Sequence, residues 1–137
     1  MAGDGDAKVA AEQIISMVKV KDGKVAKFRR QYGKKLKYTW PEEEQYSQYY
    51  LDKLYALVEY YIANSKNELL RLNVKNREQL TYSIEKQTRE NKEYIMIGIA
   101  TVSEHHVNTI QWLYLEQGEN NTLYEYDLAQ DRLIRFD

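Results

Sequence analysis

The spacing of apolar residues changes period once along this chain, and that change limits the fold more than any other feature. From Tyr50 onward, apolar residues recur every three or four positions: Tyr50, Leu51, Leu54, Val58, Tyr61, Ile62, Leu69 and Leu72. That spacing is the buried stripe of an amphipathic helix. From Leu80 they alternate instead, with Leu80, Tyr82 and Ile84 set against Thr81, Ser83 and Glu85. That is the period of a strand with one covered face. Helices therefore come first and strands second. The expected class is α+β, with N-terminal helices packed on a C-terminal antiparallel meander of about 4–5 strands.

The helical half carries one long element, expected over about residues 41–72. Thr39 and Glu42 have capping-box spacing, Pro41 suits a first turn, and Glu42, Glu43 and Glu44 place negative charge at the positive end of the helix dipole. Such a helix would be roughly 48 Å long at ~1.5 Å per residue. A compact domain of this size is only about 37 Å across. The helix therefore protrudes or breaks, and Ala63-Asn64-Ser65 is its weakest stretch. Upstream, residues 1–6 are expected to be disordered. Val9, Ala10, Gln13, Ile14 and Met17 give a short helix over about 7–17. Residues 7–137 are expected to form a single domain.

In the second half, residues 94–102 are apolar on both faces, as in a central, doubly covered strand. Turns are expected at 89–92, 103–107, 118–121 and 129–131. Residues 108–117, 123–128 and 132–136 supply the remaining strands.

Charge divides the chain differently. Nine of the 20 Lys and Arg residues fall within residues 19–37, where Asp22 is the only acid; the other 118 residues hold 11 bases against 20 acids. A formal charge of −1 thus conceals a strongly basic segment joined to an acidic body. Two local structures compete there. Asp22-Gly23 between alternating residues reads as a hairpin turn. Alternatively a helix begins at Lys24, with Val25, Phe28, Tyr32 and Leu36 on one face and the bases largely on the other.

Several chemistries lack their residues. With no cysteine, disulfides, thiolate nucleophiles and Cys-based zinc sites are excluded. His105 and His106 are the only histidines, and adjacent strand residues point to opposite sides, so no metal site is expected. Glu125 and Asp127 share a strand face about 7 Å apart, with Glu116 nearby, but a solvated strand does not raise a carboxyl pKa as acid catalysis requires. No nucleophile elbow and no glycine-rich phosphate loop occurs. No catalytic residue and no cofactor is assigned, and the reading leans away from an enzyme. No run of 18 apolar residues exists, so no transmembrane segment is expected. No signal peptide is seen, which fits a cytoplasmic chain or an exported mature chain lacking its signal peptide.

What remains is a partner surface. Lys24, Lys27, Arg29, Arg30, Lys34, Lys35 and Lys37, with Tyr38 and Trp40, are the candidate partner-binding residues. The chain also has 13 Tyr against 2 Phe and 2 Trp, and tyrosine suits half-covered faces awaiting a partner. The leading expectation is a non-enzymatic protein–protein interaction or assembly module, engaging a protein partner or forming a homo-oligomer. The first alternative is nucleic-acid binding through residues 24–37, where bases interleave with aromatics that can stack. An anionic membrane surface ranks behind both. The element order also resembles that of cone-shaped folds of the nuclear-transport-factor-2 type, although no sequence motif accompanies it. The resemblance implies a small-molecule-binding or enzymatic cone, lined here by Tyr82, Met96, Trp112, Tyr124 and Tyr126.

Overall fold

A computed structural model describes residues 22–118 and 121–136. The expectations for residues 1–6 and 7–17 lie outside the described residues. Within them the order is α1 (Asp22–Tyr32), β1 (Lys37–Thr39), α2 (Gln48–Asn64), α3 (Glu68–Lys75), β2 (Leu80–Arg89), β3 (Lys92–Ser103), β4 (His106–Glu116), β5 (Leu123–Asp127) and β6 (Arg132–Arg135). The class is α+β, and apart from β1 the helices precede the strands. The described residues gather into two compact units. One holds the residues up to Lys35 together with Gln45–Glu78; the other holds Leu36–Glu44 and the chain from Gln79 onward.

In the helical unit, the basic segment is a helix and not a hairpin. Val25, Phe28 and Tyr32 recur at spacings of three and four and are all buried. Phe28 and Tyr32 stack with ring centroids 5.4 Å apart, as i, i+4 aromatics on one helix face do. The helix stops at Gly33, which takes φ +67° and donates its N–H to the Arg29 carbonyl at 3.0 Å. Glycine adopts this left-handed closure without the Cβ penalty. Leu36 is buried as expected but lies beyond the helix.

The single helix expected over 41–72 is two helices. The first starts at Gln48, with Ser47 as N-cap accepting from the Tyr50 N–H at 3.1 Å. Thr39 is unavailable as a cap because it is paired with Ser83 in β1. Pro41 and Glu44 close a turn instead, through Glu44 N–H to Pro41 carbonyl at 3.0 Å. The break falls where helix length demanded one. Ser65 is extended, its hydroxyl donates to Tyr61 Oη at 3.2 Å and accepts from Asn67 N–H at 3.1 Å. Asn67 then caps α3 by accepting from Leu70 N–H at 3.1 Å. Restarting the helix changes its phase. Leu70 becomes the buried residue of α3, and Leu69 and Leu72, expected in the buried stripe, are 54 % and 51 % exposed.

The two exits from this unit are clasped together. Tyr32 Oη donates to the Glu78 carbonyl at 2.6 Å, and Arg77 Nε donates to the Tyr32 carbonyl at 3.1 Å. Lys34 Nζ donates to the Arg77 carbonyl.

The sheet unit is one six-stranded sheet in the order β1-β2-β3-β4-β5-β6. β1 runs parallel to β2, and all other neighbours are antiparallel. β1 is the strand beyond the expected four or five. The β2–β3 and β3–β4 hairpins each turn through two residues at positive φ, Glu90-Asn91 (51°, 65°) and Glu104-His105 (45°, 74°). Two positive φ values are what a type I′ turn requires, and its twist matches that of the strands. Pairing consequently runs to the hairpin tips, at Arg89↔Lys92 and Ser103↔His106. A register shift between Ile99 and Ala100 leaves Ile110 without a cross-strand partner on β3. β3 buries residues of both parities, Tyr94 and Ala100 as well as Ile95, Ile97 and Ile99.

Alternation and register sort the side chains into two faces. Tyr82, Ile84, Ile97, Ile99, Leu113 and Leu115 form a fully buried aliphatic face. Tyr94, Met96, Trp112, Tyr114, Tyr124 and Tyr126 form the other, which is mostly half-buried and dominated by aromatics.

Candidate functional site

The nine candidate contact residues are divided between the two units. Lys24, Lys27, Arg29, Arg30, Lys34 and Lys35 belong to the helical unit; Lys37, Tyr38 and Trp40 belong to the sheet unit. Two of the cations are engaged in holding the fold. Arg29 makes a two-pronged bond to Glu59, Nε to Oε2 at 3.0 Å and Nη2 to Oε1 at 2.7 Å. Glu59 sits on the buried side of α2 with its side chain only 7 % exposed, so it needs a compensating charge. Lys34 belongs to the clasp on Arg77. Tyr38 stacks between Tyr82 at 5.3 Å and Trp40 at 5.9 Å. Phe28 and Tyr32, the aromatics interleaved with the bases on α1, are 5 % and 0 % exposed. Buried rings offer no face for a nucleic-acid base to stack on.

Lys24 and Lys27 have a different setting. They line a cleft of about 760 Å³ within the helical unit, open to solvent on one side. α1 contributes Lys24, Lys27, Phe28 and Gln31; α3 contributes Glu68, Arg71, Leu72, Val74 and Lys75; the end of α2 and the linker, from Ile62 to Lys66, close the end. Five cations thus surround the cleft against one acid. Among the described residues, none of Lys24, Lys27, Lys66, Arg71 and Lys75 has a side-chain ion pair. Sequence reasoning found Lys24 and Lys27 and missed the other three. They lie some 40 residues downstream, outside any local charge run. The available signal was Arg71 and Lys75, four apart and so on one face of α3.

The other candidates lie in the sheet unit. Glu125 and Asp127 share the aliphatic face, as spacing required, but Asp127 is occupied in its own turn. Its Oδ1 accepts from Ala129 N–H at 3.1 Å, and its Oδ2 lies 3.7 Å from Arg132 Nε. Glu116 points to the opposite, aromatic face, where it accepts from Tyr124 Oη at 3.2 Å and meets Lys92 at 3.7 Å. His105 occupies a turn position at positive φ, and among the described residues no three His, Cys, Asp or Glu are grouped to hold a metal. The expected cone lining is split. Met96, Trp112, Tyr124 and Tyr126 share the aromatic face, whereas Tyr82 points to the aliphatic one.

The aromatic face is built by close packing. Tyr94 meets Tyr114 edge-on at 5.5 Å and Tyr124 at 6.3 Å, and Tyr114 meets Tyr126 at 5.9 Å. Burial raises the Tyr94 pKa. At its margin Tyr126 Oη donates to Asp131 Oδ1 at 2.7 Å, and Arg89 pairs with the same carboxylate at 3.2 Å. The Tyr126 hydroxyl first, and Arg89 second, hold the Asp131 carboxyl below its ordinary pKa. The same hydrogen bond raises the pKa of Tyr126.

Among the described residues no helix is long and apolar enough to cross a membrane. No protein-family model matches the chain, and no curated protein or solved structure matches it either.

Proposed function

We propose that this chain is a non-enzymatic interaction module whose basic cleft takes an acidic segment of a partner protein. The observation that carries the reading is the convergence of Lys24 and Lys27 on α1 with Lys66, Arg71 and Lys75 on one cleft, with no ion pair to any of them among the described residues. Cations gathered without internal partners raise the local potential and favour an anionic ligand. Burial of Phe28 and Tyr32 favours a protein over a single-stranded nucleic acid. The aromatic sheet face is a second contact surface on this reading, since Tyr124 and Tyr126 remain half-buried at its margin.

Two double charge reversals test the cleft at equal net charge. Lys27→Glu with Arg71→Glu alters it; Arg30→Glu with Lys37→Glu alters exposed positions outside it. Binding of a fluorescent oligoglutamate peptide should weaken by about tenfold or more in the first variant and by much less in the second, and should fall as salt rises. Equal losses in both variants would reject the cleft, and tighter binding of single-stranded DNA would favour the nucleic-acid reading.

A further inference from the structure

The walls of the cleft have a pattern that an acidic ligand alone does not explain. On α1 the lining residues are Lys24, Lys27, Phe28 and Gln31; on α3 they are Glu68, Arg71, Leu72, Val74 and Lys75. The α1 set follows the spacing i, i+3, i+4, i+7, and the α3 set has the same spacing with Val74 added at i+6. Each is therefore one face of a helix over two turns. Each wall places its large apolar residue third, directly after a cation. The cleft is thus a groove between two helical faces of equal length, each carrying cations together with apolar residues.

We infer that the groove seats an amphipathic α-helix of a partner protein, apolar on the face turned inward and acidic on both flanks; this rests on the acidic-partner reading above. Three observations select a helix. Size is the first. The groove measures about 760 Å³ and is flanked by two turns of helix on each wall, so it has room for a short helical segment. Exposure is the second. Leu72, which lines the groove on α3, is 51 % exposed, and α3 gives its own core only Leu70. An exposed leucine between Arg71 and Lys75 is an apolar contact the helical unit does not itself use. The third is the arrangement of charge. Lys24 and Lys27 belong to one wall, Arg71 and Lys75 to the other, where Glu68 is the one acid. An extended acidic strand would satisfy one row, whereas a helix with acids on both flanks meets both. Helix-in-groove binding also gives the exposed Leu72 its role, as a contact for i, i+3, i+4 anchors.

The test compares two peptides of about 15 residues with identical composition, glutamate and leucine. In one the leucines recur at i, i+3, i+4 and i+7; in the other they are spread around the helix. Affinity is read by fluorescence anisotropy and helicity by circular dichroism, with the full chain. The patterned peptide is expected to bind about tenfold tighter and to gain helix on binding. Leu72→Ser, an exposed change, should remove the difference between the peptides and leave acidic binding in place. Lys27→Glu with Arg71→Glu should weaken both. Equal affinity of the two peptides for the native chain overturns the helix and leaves the acidic-partner reading standing. Failure of both peptides to bind overturns both.

Discussion

Arg29 and Lys27 lie two positions apart on α1, and among the described residues only Arg29 has a carboxylate to hold. Replacing Arg29 by Ala strands Glu59, whose side chain is 7 % exposed. The expected loss is about 2 kcal/mol, the scale of hydrogen bonds to a charged group. Lys27→Ala should stay within about 0.5 kcal/mol. Chemical denaturation of the two variants checks this, and Glu59→Gln should recover part of the Arg29→Ala loss. A second residue-scale prediction concerns Gly98. A Cβ there would sit 2.5 Å from the Trp112 ring, so Gly98→Ala should cost about 1–3 kcal/mol through overpacking. Neither dependence was legible in the sequence. Arg29 looked like its basic neighbours because its acid lies 30 residues away. Tyrosine also misled in part, since Tyr32, Tyr61 and Tyr82 are core residues with 0 %, 0 % and 1 % exposure. A polar tip on a large ring reads as a surface residue until its hydroxyl partner is known, as Tyr32 shows with the Glu78 carbonyl.

At the scale of elements, the break between α2 and α3 depends on two short polar side chains. Asn67→Ala removes the N-cap of α3 and should cost about 1 kcal/mol, read as lost amide protection over Glu68–Lys75. The β5–β6 hairpin depends on Asp131 and is sensitive to acid. Its carboxyl is held below its ordinary pKa in the folded chain, so its contribution is fully present above the unfolded value of about 3.9. That contribution is lost as pH falls from there through the lower folded value. Tyrosine near-ultraviolet dichroism should track the change, and Asp131→Asn should flatten it. The strands were largely legible because period-2 alternation is local. β1 was not, because three residues carry no period and depend on pairing with β2. The capping-box signal at Thr39 and Glu42 failed for the same reason, since Thr39 is committed to that strand. The helix break was legible through length alone.

For the whole molecule, the concealed charge asymmetry resolves locally. Four acids of the sheet unit meet cations of the same unit, in Lys92–Glu116, Arg132–Asp127, Arg89–Asp131 and Lys86–Glu44. The basic helix instead pairs with Glu59 of its own unit and keeps Lys24 and Lys27 for the cleft. The sequence located half of that cleft. The rest required knowing that the long helix breaks, because the break is what turns Arg71 and Lys75 toward α1.

The parallel strand β1 also determines where this chain tolerates being cut. Neither unit is an unbroken stretch of sequence, since Leu36–Glu44 interrupts the helical residues and belongs to the sheet. A fragment beginning at Gln79 would contain five strands and lack the one that covers Thr81, Tyr82 and Ser83. The bared backbone of β2 would then recruit strands from other molecules. Sedimentation should find such fragments self-associated, and a synthetic peptide of residues 36–44 should disperse them by occupying the vacated edge.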